Sequence, residues 1–118
     1  MIHLTHRADF LKAAKAAYQA KPAVVVQARA RGDEDETIRL GFTATKKIGN
    51  AVARNRAKRR LREAARALVP ELGLTGHDYV LIARATTGSV PWQGLLDDVK
   101  AALIRLARQN SSGTKTVR

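Results

Sequence analysis

The chain has 118 residues, 45% of them hydrophobic, enough for one compact domain with a real core and too few for two. Its 22 Lys and Arg against 10 Asp and Glu give a formal net charge of +12, which suits RNA, DNA or an anionic membrane surface as partner. The absence of cysteine excludes disulfides, thiolate chemistry and cysteine zinc sites, and no apolar run approaches a membrane span or follows Met1 as a secretion signal would, so a cytoplasmic location is expected.

Residues 7–20 read as a first helix, with Phe10, Leu11, Ala14, Ala17 and Tyr18 on one side, Lys12 and Lys15 on another, and Pro22 as the stop. Residues 23–29 (A-V-V-V-Q-A-R) and 37–45 (T-I-R-L-G-F-T-A-T) read as strands. The polar turn R-G-D-E-D-E lies between them, and an antiparallel hairpin is the simplest pairing. In the second strand Ile38, Leu40, Phe42 and Ala44 alternate with Arg39, Gly41, Thr43 and Thr45, so one face is apolar. After a basic helix, D-Y-V-L-I-A-R at residues 78–84 is apolar on both sides and is expected at the centre of a sheet. A last helix begins near Pro91 and sets Trp92, Leu95, Leu96, Val99, Leu103 and Leu106 at core spacing. The expected organisation is a single domain over residues 1–109, an α+β sandwich with a small sheet, and a disordered basic tail over 110–118.

The basic helix, expected over residues 51–68, carries the functional signal. Residues 54–66, R-N-R-A-K-R-R-L-R-E-A-A-R, hold seven of the 22 Lys and Arg. At helical pitch Ala53, Ala57, Leu61, Ala64, Ala65 and Leu68 share one arc of roughly 120°. Arg56, Arg59, Arg62 and Arg66 stand opposite, and Arg54, Lys58 and Arg60 flank the apolar stripe, where they can bury their stems and keep their charges wet. Asn50 is the expected N-cap and Pro70 the stop. Like charges three and four apart repel, with only Glu63 nearby to compensate, so folding alone does not favour this row. A polyphosphate partner turns the repulsion into affinity through counterion release. Lys46, Lys47 and Asn50 stand at the helix N-terminus, where free amides and the dipole favour an anion. Arginine forks grip phosphate bidentately, and Asn55 can donate and accept at a base edge or ribose hydroxyl.

Other chemistries are poorly supported. His3, His6 and His77, with Asp97 and Asp98, form no acid–base or metal constellation, since the two aspartates are adjacent and diverge around a helix. Phosphate-loop spacing is lacking because Lys46 and Lys47 precede Gly49. A membrane-surface helix would need a heavier apolar face than alanine supplies. A ribosomal or general RNA-binding module is the alternative that composition alone leaves open.

The segment K-K-I-G-N-A-V-A-R-N-R-A-K-R-R-L-R-E-A at residues 46–64 resembles the signature of the protein subunit of bacterial ribonuclease P. Arg54, Asn55 and Arg56 form its core, preceded by the lysine pair and Ile48-Gly49-Asn50. Arg7 with Asp9 and Phe10, G-F-T-A-T before the lysines and D-Y-V-L-I-A-R after the helix extend the resemblance over most of the chain. It implies a monomeric protein in a 1:1 ribonucleoprotein that removes the 5′ leader from precursor tRNA, with the chemistry performed by the RNA subunit and its Mg2+ ions. It also implies that Lys46, Lys47, Asn50, Arg54, Asn55, Arg56, Lys58, Arg59, Arg60, Arg62 and Arg66 meet the catalytic RNA. A cleft between the first helix and the sheet would hold the single-stranded leader, its candidates being Phe10, Ala14, Val26, Thr43 and Thr45. Family members line that cleft with several aromatics; Ala14 and Val26 stand at two of those positions here, leaving Phe10. The implied fold is a four-stranded α+β two-layer sandwich, ordered α-β-β-β-α-β-α, with a left-handed βαβ crossover (ribosomal protein S5 domain 2-like). That is one strand more than the residues alone suggest.

Overall fold

The computed structural model describes residues 1–116, with side chains through residue 110. The chain runs β1 (Ile2–His3), α1 (Arg7–Ala14), β2 (Ala17–Lys21), β3 (Val24–Ala30), β4 (Arg39–Thr43), a 3-10 turn (Lys46–Ile48), α2 (Ala51–Leu72), β5 (His77–Ala83) and α3 (Trp92–Thr116). One mixed sheet has the order β1-β4-β5-β3-β2. β5 is central, as its unbroken apolar run requires, antiparallel to β3 and parallel to β4. The sheet therefore has five strands where four were expected, because the two-residue β1 adds itself parallel to β4.

The two faces of the sheet are covered unequally. Tyr79 and Leu81 on β5, Val24 and Val26 on β3 and Leu40 on β4 point to one side, where they bury against Leu61, Ala64 and Val69 of α2 and Leu95, Val99, Leu103 and Leu106 of α3. Complete burial of one such leucine is worth about 2 kcal/mol. On the reverse side Val80 packs with Leu4 and Ala13, and Phe10 and Ile82 lie partly open. That half-covered face leaves room for a cleft.

Several local expectations are corrected. The first helix stops at Ala14, and residues expected in its last turn form β2, paired antiparallel with β3. Alanine-rich sequence favours helix, but ladder pairing against β3 outweighs propensity here. The strands at 23–29 and 37–45 do not form a hairpin, because β5 lies between β3 and β4. Pro70 does not end the basic helix, which continues to Leu72, and the Gly73 amide closes it on the Val69 carbonyl at 2.8 Å. Proline in a last turn removes only the amide that would have bonded to the Arg66 carbonyl. Trp92, expected in the core, is 41% exposed. At the C-terminus α3 is helical to Thr116, past residue 110 where the tail was expected to begin; residues 117 and 118 of that tail lie outside the described residues.

Candidate nucleic-acid interface

Asn50 caps α2 as its type suggests, its Oδ1 accepting from the Ala53 amide at 2.9 Å. Just before it Gly49 has φ 140°, where a Cβ would be strained and would sit 3.0 Å from that of Ala53, so the turn that presents Lys46 and Lys47 depends on glycine. Both lysines are exposed. Along α2 Ala57, Leu61, Ala64, Ala65 and Val69 are buried. Asn55, Arg56, Arg59, Arg62 and Arg66 are exposed, and Arg54, Lys58 and Arg60 are half-buried at the margins. Among the described residues the only carboxylate pair made by an α2 cation joins Arg66 to Glu63 at 3.2 Å, on an open surface where it holds neither firmly. Arg54 keeps its Nε shielded from solvent with no hydrogen-bond acceptor.

Arg60 departs from the expected role. Its Nη1 and Nη2 donate to the carbonyls of Thr87 and Val90, each at 2.6 Å, and its guanidinium lies 5.8 Å from the Trp92 ring centre. The carbonyls belong to the loop entering α3, so Arg60 ties that loop to α2. The loop is fastened again where Thr87 Oγ1 donates to the Ala23 carbonyl at 2.6 Å. A helical wheel cannot distinguish this arginine from its neighbours.

On the reverse face of the sheet, Thr5, Arg7, Phe10 and Thr43 line an open cleft of about 370 Å³. Its geometry follows from register. Val25, Ile82 and Thr43 are aligned partners across β3, β5 and β4, and in the next row Gln27, Val80 and Gly41 lie beneath α1. A Cβ on Gly41 would come within 2.5 Å of the Phe10 ring, so the glycine lets that ring lie against β4 and wall the cleft. Phe10 and Thr43 are thus brought together as expected. Val26 is not: it is fully buried under α2 and α3, because the period of 2 along β3 turns Val25 and Gln27 to the cleft side instead. Ala14, at the end of α1, is exposed and does not line the cleft; Thr45 is exposed beyond the end of β4. Tyr18, taken as helical from sequence, stands opposite Gln27 on β2 and is 60% exposed on the cleft side. Thr5 and Arg7 were missed as lining residues, since Thr5 lies in the irregular segment before α1 and Arg7 is the first residue of α1, where helical periodicity alone does not tell which side faces the sheet.

A buried carboxylate holds this face together. Asp78 is fully buried and takes both oxygens to Arg39 at 2.7 Å, with Arg31 at 2.9 Å and Arg29 at 3.3 Å. Asp9 of α1 meets Arg39 at 3.4 Å and Arg29 at 3.8 Å, so the cluster pins the helix bearing Phe10 to the sheet. Burial alone would push the Asp78 carboxyl up; the hydrogen bonds from Arg39 and Arg31 outweigh it and hold it below the ordinary 3.8. The internal carboxylate pairs of the described residues therefore engage the arginines of β3, β4 and the adjoining loop, and leave the α2 row to solvent.

The family model for Ribonuclease P matches residues 2–107, most of the chain. The chain belongs to the ribonuclease P protein family. It is 59% identical over 116 residues to a Ribonuclease P protein component of Caulobacter vibrioides, covering 98% of this chain and 78% of that one. A Ribonuclease P protein component of Ruegeria pomeroyi is also 59% identical, over 87% of this chain and 84% of its own. Among solved structures, the RNase P protein of Staphylococcus aureus superposes with TM-score 0.72 at 28% identity, covering 91% of this chain and 95% of that one. That of Thermotoga maritima gives 0.69 at 27% identity, over 84% and 91%.

Within this ribonuclease P protein, Arg60 and Arg59 offer a direct contrast between structural and surface cations. Arg60→Ala removes two charge-assisted hydrogen bonds and should lower unfolding free energy by about 2 kcal/mol. Arg59→Ala, at an exposed site, should change it by less than about 0.5 kcal/mol. Urea unfolding of the two variants measures the difference.

Proposed function

We infer that this chain is the protein subunit of ribonuclease P, a ribonucleoprotein endoribonuclease of tRNA processing, and that it works by binding the enzyme's catalytic RNA. The observation that carries this reading is the row of α2 cations left open on the surface while the buried carboxylates engage other arginines. Exposed Arg56, Arg59 and Arg62, with Lys46 and Lys47 at the capped helix start, form a continuous phosphate-binding surface. The shielded Nε of Arg54 costs free energy in the isolated protein, and an outward swing onto a phosphate would recover it.

The cleft on the reverse face is proposed to hold the 5′ leader of precursor tRNA. From Thr43 at the end of β4 the chain passes through Thr45 into the turn of Lys46 and Lys47, so a nucleic-acid strand leaving the cleft would meet the first cations of the RNA surface. Phe10 offers a ring for one base, and Arg7 and the hydroxyls of Thr5 and Thr43 offer contacts to its backbone. The protein is proposed to act as a monomer in a 1:1 particle in the cytoplasm. Asp9 and Asp78 are engaged by arginine, and among the described residues no group of three or more His, Asp or Glu side chains is placed to hold a metal ion. The magnesium chemistry is assigned to the RNA. The protein's part is binding and orientation.

A membrane-surface role is disfavoured because the apolar face of α2 already forms the core, and no described helix is long and apolar enough to cross a membrane. The test is reconstitution. Mixed with a bacterial ribonuclease P RNA at limiting magnesium, the protein should raise precursor-tRNA cleavage several-fold. Folded protein with active RNA and no stimulation would point instead to a general RNA-binding module.

A further inference from the structure

We propose a second nucleotide site, on the α2 face of the sheet at its β1 edge, that takes one unstacked nucleotide of the catalytic RNA: the base against His3 and Phe42, the phosphate on Arg62 and Arg66. The proposal rests on the RNA-binding reading of α2 and adds a stacking pocket to it.

The site is a cleft of about 150 Å³ whose walls include Ile2, His3, Leu40, Phe42, Arg62 and Arg66. That volume is of the size that admits one six-membered aromatic ring. The rings of His3 and Phe42 have centroids 6.1 Å apart and planes inclined at 60°, and the Arg62 guanidinium lies 5.6 Å from the Phe42 ring centre. Two ring faces and a guanidinium plane are the surfaces on which unpaired bases stack. Local folding fixes the walls. The Ile2 amide donates to the Ile38 carbonyl at 3.0 Å and the Leu4 amide to that of Leu40 at 2.7 Å, so His3 is held opposite Leu40 and on its face of the sheet.

Charge complementarity selects the occupant. Arg62 and Arg66, one helical turn apart, stand at the rim and continue the row of Arg56 and Arg59, so a ligand here is an extension of whatever polyanion lies along α2. An acidic peptide would satisfy the arginines and leave the rings unused; a nucleotide engages both. The site is separate from the leader cleft, because alternation along β4 turns Phe42 to one side of the sheet and Gly41 and Thr43 to the other.

The test measures binding of the full chain to ribonuclease P RNA, and to precursor tRNA alone, across a KCl series. His3→Ala, at an exposed side chain, and Phe42→Leu, which keeps apolar volume, should each weaken binding to the catalytic RNA about five- to tenfold. Phe42→Leu removes no charge and should leave the salt slope unchanged, whereas Arg66→Gln should reduce it by about one phosphate's worth. His3→Phe should bind as the parent does. Parental affinity in His3→Ala and Phe42→Leu, with Arg54→Ala still weakened, overturns the pocket and leaves the RNA-binding reading standing. Parental affinity in all three overturns both. A loss that His3→Phe does not spare, or one confined to precursor tRNA, also overturns the pocket.

Discussion

Asp78→Asn is expected to lower the unfolding free energy by about 3 kcal/mol, because it leaves three guanidinium groups beside a buried amide that cannot balance them. Arg31 is the most sequestered, with a side chain 5% exposed, and its other donors already reach the carbonyls of Asp35 and Thr37 at 2.8 and 2.6 Å. Arg39 loses a two-point grip of 2.7 Å at each oxygen. For a domain whose total stability is about 5–15 kcal/mol this is a large fraction, and urea unfolding at neutral pH measures it. The parent should also lose stability in acid. The Asp78 carboxyl is depressed on folding, so its contribution is complete above the ordinary value of 3.8 and disappears as pH falls below it, through the folded value. Asp35, held low by its hydrogen bonds to Thr37, titrates in the same direction in both proteins. The difference between parent and Asp78→Asn should therefore shrink below pH 3.8, and a constant difference there would show that Asp78 is not the group titrating.

Combined replacement of Arg54, Asn55 and Arg56 by alanine should weaken binding to ribonuclease P RNA about 100-fold near physiological salt, since two charge-assisted contacts and one polar contact are removed. The salt slope should fall by about two phosphates' worth. Stability should not fall. Asn55 and Arg56 are exposed, Arg54 is half-buried with its Nε unmet, alanine is the better helix former, and the substitutions relieve repulsion along the Arg54, Lys58 and Arg62 row. The pair of readouts separates the interface from the fold. Affinity loss accompanied by unfolding would place these residues with Arg60 among the structural cations. Unchanged affinity would refute the assignment of α2 as the RNA-binding surface.

How far the site could be read from residues alone depends on whether its signal is local. The α2 face was legible because one helix displays its own periodicity: Ala57, Leu61, Ala64 and Ala65 inward, Arg56, Arg59, Arg62 and Arg66 outward, Asn50 as cap. The cleft on the reverse face was legible only in part. Phe10 and Thr43 meet there, but placing Val26 requires the register of β3, and a shift of one residue exchanges core for surface.

By itself the sequence determined an α+β fold, a central apolar strand, a capped cationic helix and, through the signature at residues 46–64, the family. Each of these rests on neighbours along the chain, whose spacing sets which side chains share a face. Only the tertiary structure decided that Ala17–Lys21 is a strand, that β5 separates β3 from β4, that Arg60 holds a loop, and that Asp78 gathers three arginines from elsewhere in the chain. The partners of Arg60 and Asp78 lie 27 to 49 positions away, and even β2, which pairs with its near neighbour β3, is set by a ladder and not by its own propensity. Local propensity is worth tenths of a kcal/mol per residue, and a ladder of hydrogen bonds or a buried ion cluster outweighs it.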